Sequence, residues 1–173
     1  MAWIVLVDGY NVLKHWPQFD RQLNTQFDLA RGQLIRMIGN FADYQGHRVI
    51  VVFDAGKRNL HRPTSKNQEG VEVVYTKRDQ TADDYISEWI EAYRGDEHVE
   101  VVTSDQLLSE IVQELGASVR TTFEFSDTYA RTPGTSGIQY QNGIPDSEPQ
   151  LRDGLDQTTR RGLENFKRNL STK

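Results

Sequence analysis

Four short runs rich in Val and Ile, each followed by an acidic residue at its end or at the start of the next helix, constrain this chain more than any other feature. They are Trp3 to Val7, Arg48 to Phe53, Val71 to Tyr75 and Val99 to Val102. Runs of this length, bounded by turn-forming residues, read as strands buried on both faces. The intervening stretches change period. Phe27, Ala30, Leu34, Ile38, Phe41 and Ala42 recur at spacings of three and four and give way to Gly46, a helix with a C-terminal stop. A second helix is expected after Thr81, with Ala82, Ile86, Trp89, Ile90 and Tyr93 on its apolar side and Asp84 completing an Asp variant of the capping box. A third begins near Asp105, with Leu107, Leu108, Ile111, Val112 and Leu115, and ends at Gly116; Ala117 to Thr122 supplies a possible fifth strand. Strands alternating with helices build βαβ units, so the expected fold is α/β, a three-layer arrangement with a mainly parallel central sheet and helices on both faces.

The rest of the chain is organised more loosely. Residues 131–154 hold three of the five prolines and four of the thirteen glycines with few aliphatic side chains, which reads as a flexible loop. Beyond it Leu155, Leu163, Phe166 and Leu170 predict a basic amphipathic helix. The expected division is a catalytic domain over residues 1–130, the loop over 131–154 and a terminal helix over 155–173 packed on the same domain.

No cysteine is present, which excludes disulfides, thiolate metal sites and a cysteine nucleophile. No apolar run approaches the ~20 residues that span a bilayer. Met1 to Val7 lacks a basic leader and runs directly into Asp8, so it reads as a strand and not a signal peptide, and the cytosol is the expected compartment. The net charge of −5 hides a strong asymmetry. From Lys57 to Arg78 six basic residues face two acids; from 79 to 130 thirteen acids face Arg94 and Arg120; from Arg152 to Lys173 the balance is basic again. Charge runs are commonly just solvated surface. The alternative is two phosphate-contacting segments, with Lys57, Arg58, Arg62 and Lys66 in one and Arg160, Arg161, Lys167 and Arg168 in the other, flanking an acidic centre.

That centre is predicted by the strands. Asp8 follows the first, Asp54 the second, Asp83 opens the helix after the third, and Asp105 lies just beyond the fourth. The carboxyl ends of strands in an open parallel sheet share one edge, where ligands bind. Four carboxylates converging there repel one another unless they are protonated or neutralised, and a divalent cation is the simpler answer. Oxygen-only ligands favour Mg²⁺ or Mn²⁺, and the chemistry that fits is metal-assisted phosphodiester hydrolysis. Asn11 and Ser104 stand beside these acids as groups able to orient a ligand or phosphate. Each acid also has a plainer reading as a helix N-cap or turn former, Asp54 above all. His15, His47, His61 and His98 have no metal spacing. Trp16, Tyr10 and Tyr44 are either core residues or base-stacking surfaces.

Rival folds leave clearer marks than this chain carries. A dinucleotide-binding turn needs more glycines than Gly9, no Gly-Lys-Ser/Thr triplet forms a phosphate loop, and an aspartyl phosphatase needs an acid where Tyr10 stands.

The segments VDGYNVL at 7–13, VVFDAG at 51–56, KRDQTADDYI at 77–86 and VVTSDQ at 101–106 together resemble the YacP-like branch of the NYN domains, within the PIN-like nuclease superfamily, over roughly residues 3 to 130. The resemblance implies a metal-dependent endoribonuclease of bacteria or plastids that acts on messenger RNA in association with the ribosome. It places Asp8, Asp83 and Asp105 as metal ligands, with Asn11 as the Asn of DGYN, and departs from the family at Asp84, where Glu is common. The expected partners are RNA and the ribosome, with no membrane and a monomer favoured, in bacterial cytoplasm or plastid stroma. A non-catalytic RNA- or ribosome-binding module on the same fold is the alternative.

Overall fold

We describe residues 2–56 and 60–133 in a computed structural model of the chain. Chain order gives β1 (Ile4–Asp8), α1 (Gly9–His15), a single 3₁₀ turn (Pro17–Phe19), α2 (Asp20–Leu23), α3 (Phe27–Gln45), β2 (Arg48–Phe53), β3 (Thr64–Gln68), β4 (Val71–Tyr75), α4 (Ala82–Ala92), β5 (Val99–Val102), α5 (Gln106–Glu114), β6 (Ser118–Arg120) and α6 (Thr122–Ala130). The sheet runs β3-β4-β2-β1-β5-β6. All pairings are parallel except β3 with β4. This is the expected α/β sheet with one antiparallel edge, and its order reverses between β1 and β5.

Alternation along the strands sorts the core into two layers. In β1, Val5 and Val7 face a cluster with Val12, Leu13, Trp16, Phe41 and Phe125, drawn from α1, α3 and α6. Ile4 and Leu6 face the opposite cluster, built on Ile86 and Ile90 of α4 and Leu108 and Val112 of α5. With a helix layer on each side, both faces of the central strands are dry, which is why their sequences read as continuous apolar runs. The long helix α3 ends as its sequence predicts, with Gly46 in the left-handed region at φ 66°.

The 3₁₀ turn and the four-residue α2 lie outside the sequence reading, and three further elements depart from it. Thr64–Gln68, expected to be loop, is the edge strand β3; its side chains are almost all exposed, so no apolar period marks it. It joins β4 through a two-residue turn, Glu69 and Gly70, both at positive φ as a twisted hairpin requires. Helix α1 starts within the DGYN segment and is only seven residues long. Helix α6 is announced by Thr121 and Glu124, whose reciprocal bonds form a capping box. Of the loop expected over 131–154 and the terminal helix expected over 155–173, all but residues 131–133 lie outside the described residues. No helix among the described residues is long and apolar enough to cross a membrane.

Candidate active site

The topology delivers the acids to one place. Asp8 is the last residue of β1, at the point where the strand order reverses, and only 6% of it is exposed. One of its oxygens accepts the Asn11 amide at 3.2 Å and so caps α1. Burial pushes the Asp8 carboxyl up to about 7; the Asn11 bond works against that rise, and the charges of Asp83, Asp54 and Asp105 add to it. Asp83, half-buried in the first turn of α4, is also raised, first by burial and then by Asp105, Asp54 and Asp84. The four acids therefore share one electrostatic environment although they come from four strand-to-helix connections.

Local bonding fixes each acid in position. Asp105 accepts the Leu108 amide at 3.0 Å as the N-cap of α5, and its own amide donates to Thr103 Oγ1 at 3.1 Å. Asp54 accepts the Ala82 amide at 2.6 Å, tying the end of β2 to the first turn of α4 beside Asp83. Asp84 completes the expected capping box with Thr81, and those bonds hold its carboxyl below the usual range. The plainer reading of these acids as caps is thus correct for Asp8, Asp84 and Asp105, but a cap uses one carboxylate oxygen and leaves the other.

Asn11 and Ser104 do structural work that their sequence neighbours do not reveal. The Asn11 side-chain carbonyl accepts the Ser104 amide at 2.8 Å, joining α1 to the β5–α5 connection. Ser104 Oγ accepts the Thr122 amide at 3.0 Å and lies 2.6 Å from Thr122 Oγ1, which engages the hydroxyl expected to meet substrate. Trp16 is corrected from a base-stacking candidate to a core residue: it is 1% exposed and its indole N–H donates to the Thr122 carbonyl at 2.9 Å. Tyr10 and Tyr44 are exposed.

Thr64 pairs with Tyr75 at the carboxyl end of β4, so Arg62, two residues earlier, stands at the same sheet edge as the acids, while Lys66 lies mid-strand opposite Val73. Both are exposed. Lys57, Arg58, Arg160 and Arg161 lie outside the described residues.

The donor set is all oxygen, and a carboxyl raised to about 7 by burial, with neighbouring carboxylates adding to the rise, is one that a cation would ionise, so the residues fit Mg²⁺ or Mn²⁺ by chemistry. Among the described residues no three His, Asp or Glu side chains close into a ready-made cage. That suits an ion held by one or two carboxylates and otherwise by water and phosphate, the usual habit of Mg²⁺.

Sequence reasoning missed Phe27, Arg31 and Phe53, which line the surface beside Asp54. The Arg31 guanidinium lies 5.6 Å from the Phe27 ring, 5.8 Å from Phe53 and 5.2 Å from Tyr75. Their periodicity marks them only as helix and strand residues, so nothing local could have singled them out.

Residues 5–168 match the model of the YacP-like NYN domain. The uncharacterized protein YacP of Bacillus subtilis (strain 168) is 40% identical over 105 residues, 59% of this chain and 60% of that protein, so the match spans less than two thirds of the relative's length. A crystal structure of a mutant form of Rae1 (YacP) from Bacillus subtilis superposes with a TM-score of 0.64 at 27% identity, covering 99% of this chain and 85% of the other. A second Rae1 (YacP) crystal structure gives 0.60 at 26% identity over 98% and 82% of the two chains.

Proposed function

The chain belongs to the YacP-like NYN domain family, and from that membership we propose that it is a metal-dependent endoribonuclease acting on messenger RNA in association with the ribosome, in the cytoplasm of a bacterium or the stroma of a plastid. The observation that carries the reading is the gathering of Asp8, Asp54, Asp83 and Asp105 at the carboxyl edge of the sheet, close enough for their charges to raise the Asp8 carboxyl. Carboxylates crowded against one another repel a polyanion, so this grouping makes sense for a substrate phosphate only with cations to bridge them.

Asp8, Asp83 and Asp105 are the residues from which the ion's one or two carboxylate ligands would come, the others acting through its water shell. When bound, Mg²⁺ or Mn²⁺ supplies polarisation of a phosphoryl oxygen and a water of lowered pKa. The chain's own residues do the rest. Asp54 holds the first turn of α4 and so places Asp83, and Asn11 fixes the β5–α5 connection and so places Asp105. Arg62, at the same edge, and the basic residues Lys57, Arg58, Arg160 and Arg161 supply the positive charge with which a single-stranded backbone is drawn toward an acidic centre.

The test is cleavage of translating messenger RNA by the purified chain, with and without ribosomes and with and without Mn²⁺. Asp83→Asn, which removes a charge with little change of size, is expected to lower cleavage by at least about a hundredfold while leaving the fold intact; without metal it should melt no lower than the parent, because one of several mutually repelling charges is gone. Retained cleavage with a lower melting temperature reassigns Asp83 to capping alone. Binding of RNA or ribosomes with no cleavage under any metal condition turns the protein into a binding module.

A further inference from the structure

Next to the acids lies a pocket of about 190 Å³ lined by Tyr10, Phe27, Phe53, Asp54 and Gly56. It shares Phe27, Asp54 and Gly56 with a larger groove of about 740 Å³ that passes Arg31. Asp54 is thus a wall of the pocket and a member of the acid group at once.

The walls are unusual for solvent-facing surface. Tyr10, two residues beyond Asp8, is 49% exposed, and its ring stands 6.0 Å from that of Phe27. Phe53 stacks on Tyr75 at 5.9 Å. Arg31, only 14% exposed and paired with Asp28, lies against Phe27, Phe53 and Tyr75 and braces these rings. A Cβ on Gly9 would come within 2.4 Å of the Phe53 ring, so the glycine of DGYN leaves that ring the room it occupies. Tyr10 presents an exposed aromatic face, Phe27 beside it is half-buried and Phe53 is buried in the core that holds them, and such rigid aromatic walls suit a flat π-system more than a branched side chain. Sharing Asp54 with the acids means that an occupant of the pocket lies within a nucleotide's reach of any phosphate held there.

Resting on the nuclease reading above, we propose that this pocket takes the base of the nucleotide adjoining the scissile phosphate, stacked on Tyr10 with Phe27 at its edge. Tyr10 and Phe27 then contact substrate directly, and Arg31 is a positioning residue that keeps their neighbours in place. Stacking accepts every base, so the subsite sets the geometry of the strand and not its sequence.

The experiment uses the full chain carrying Asp83→Asn, so that RNA stays whole, and a short single-stranded RNA in which 2-aminopurine is moved through each position. One position should lose fluorescence on binding. Tyr10→Phe should keep that quench, whereas Tyr10→Ala should abolish it and weaken binding roughly tenfold, the size of one lost base–aromatic stack. Tyr10→Leu keeps the apolar bulk without the π-face and should behave as Ala does, which separates stacking from folding. In the chain with Asp83 intact, Tyr10→Ala should raise KM by a similar factor with less effect on kcat. Quench at no position, or quench and affinity that survive Tyr10→Leu, overturns the base subsite even if the parent chain cleaves RNA. Position-specific quench that depends on Tyr10 in a chain that never cleaves RNA upholds the subsite and sinks the nuclease reading instead.

Discussion

Burial raises the Asp8 carboxyl to about 7, and a shift of that direction is measurable through stability. Its folded value of about 7 lies above the ordinary 3.8, so between those two values the folded chain holds a proton that the unfolded chain has released. The contribution to stability is fully present below about pH 4 and is lost as pH rises through 7. With chelator present, melting temperature should therefore fall across that window and level off above it, the stability lost being bounded at on the order of 4 kcal/mol for a shift of this size. Asp8→Asn should remove most of the fall, and the raised Asp83 accounts for what is left; melts of both chains between pH 4 and 8 check this. Asp8, Asp83 and Asp105 were legible in the sequence because each sits just past a run of strand residues or a helix start. The engagement of Asn11 with Ser104 was not, since it joins residues 93 positions apart. Because Asp8 and Asp105 also cap helices, alanine at either position removes an N-cap along with a charge, and asparagine is the cleaner substitution.

At the scale of elements, α4 depends on a residue that is not its own. Asp54 of the β2 connection accepts the amide of its first residue, Ala82, so Asp54→Ala should cost about 1 to 3 kcal/mol in denaturant unfolding and lower cleavage by letting Asp83 drift, whereas Asp54→Asn, which keeps an acceptor, should cost less than half as much. Equal losses for the two variants would show that the carboxylate charge, not the bond to α4, matters. The elements that sequence reading found, β1, β2, β4, β5, α3, α4 and α5, are those whose burial imposes a pattern, and the half-buried β6 lies within the stretch 117–122 read as a possible fifth strand. It missed β3 because an edge strand with exposed side chains needs no apolar residues, and α1 because seven residues hold too few turns to repeat a pattern. For α6 the signal was present in Thr121 and Glu124 and was outweighed by the strand pattern just before it.

Across the whole molecule, charge is segregated: an acidic centre carried by residues 79–130 and basic segments before and after it. If Lys57, Arg58, Arg62 and Lys66 each neutralise one phosphate of a single strand, replacing all four should flatten the plot of log affinity against log salt by roughly 3, at about 0.7 per contact. Weaker binding at an unchanged slope would mean that the lost contacts were not to phosphates. The choice of replacement matters because of where Lys66 sits. β3 ends the sheet, and no described strand pairs with its outer side, which leaves a row of peptide N–H and C=O groups facing outward with Lys66 at its middle. Such an open margin can template growth by another copy of itself, and a charged side chain there is what discourages it. An apolar residue at 66 would convert the margin into a seed for fibrous self-association, and the resulting loss of material from solution would imitate a loss of RNA affinity. Glutamine, which removes the charge but keeps the margin hydrated, avoids that false reading.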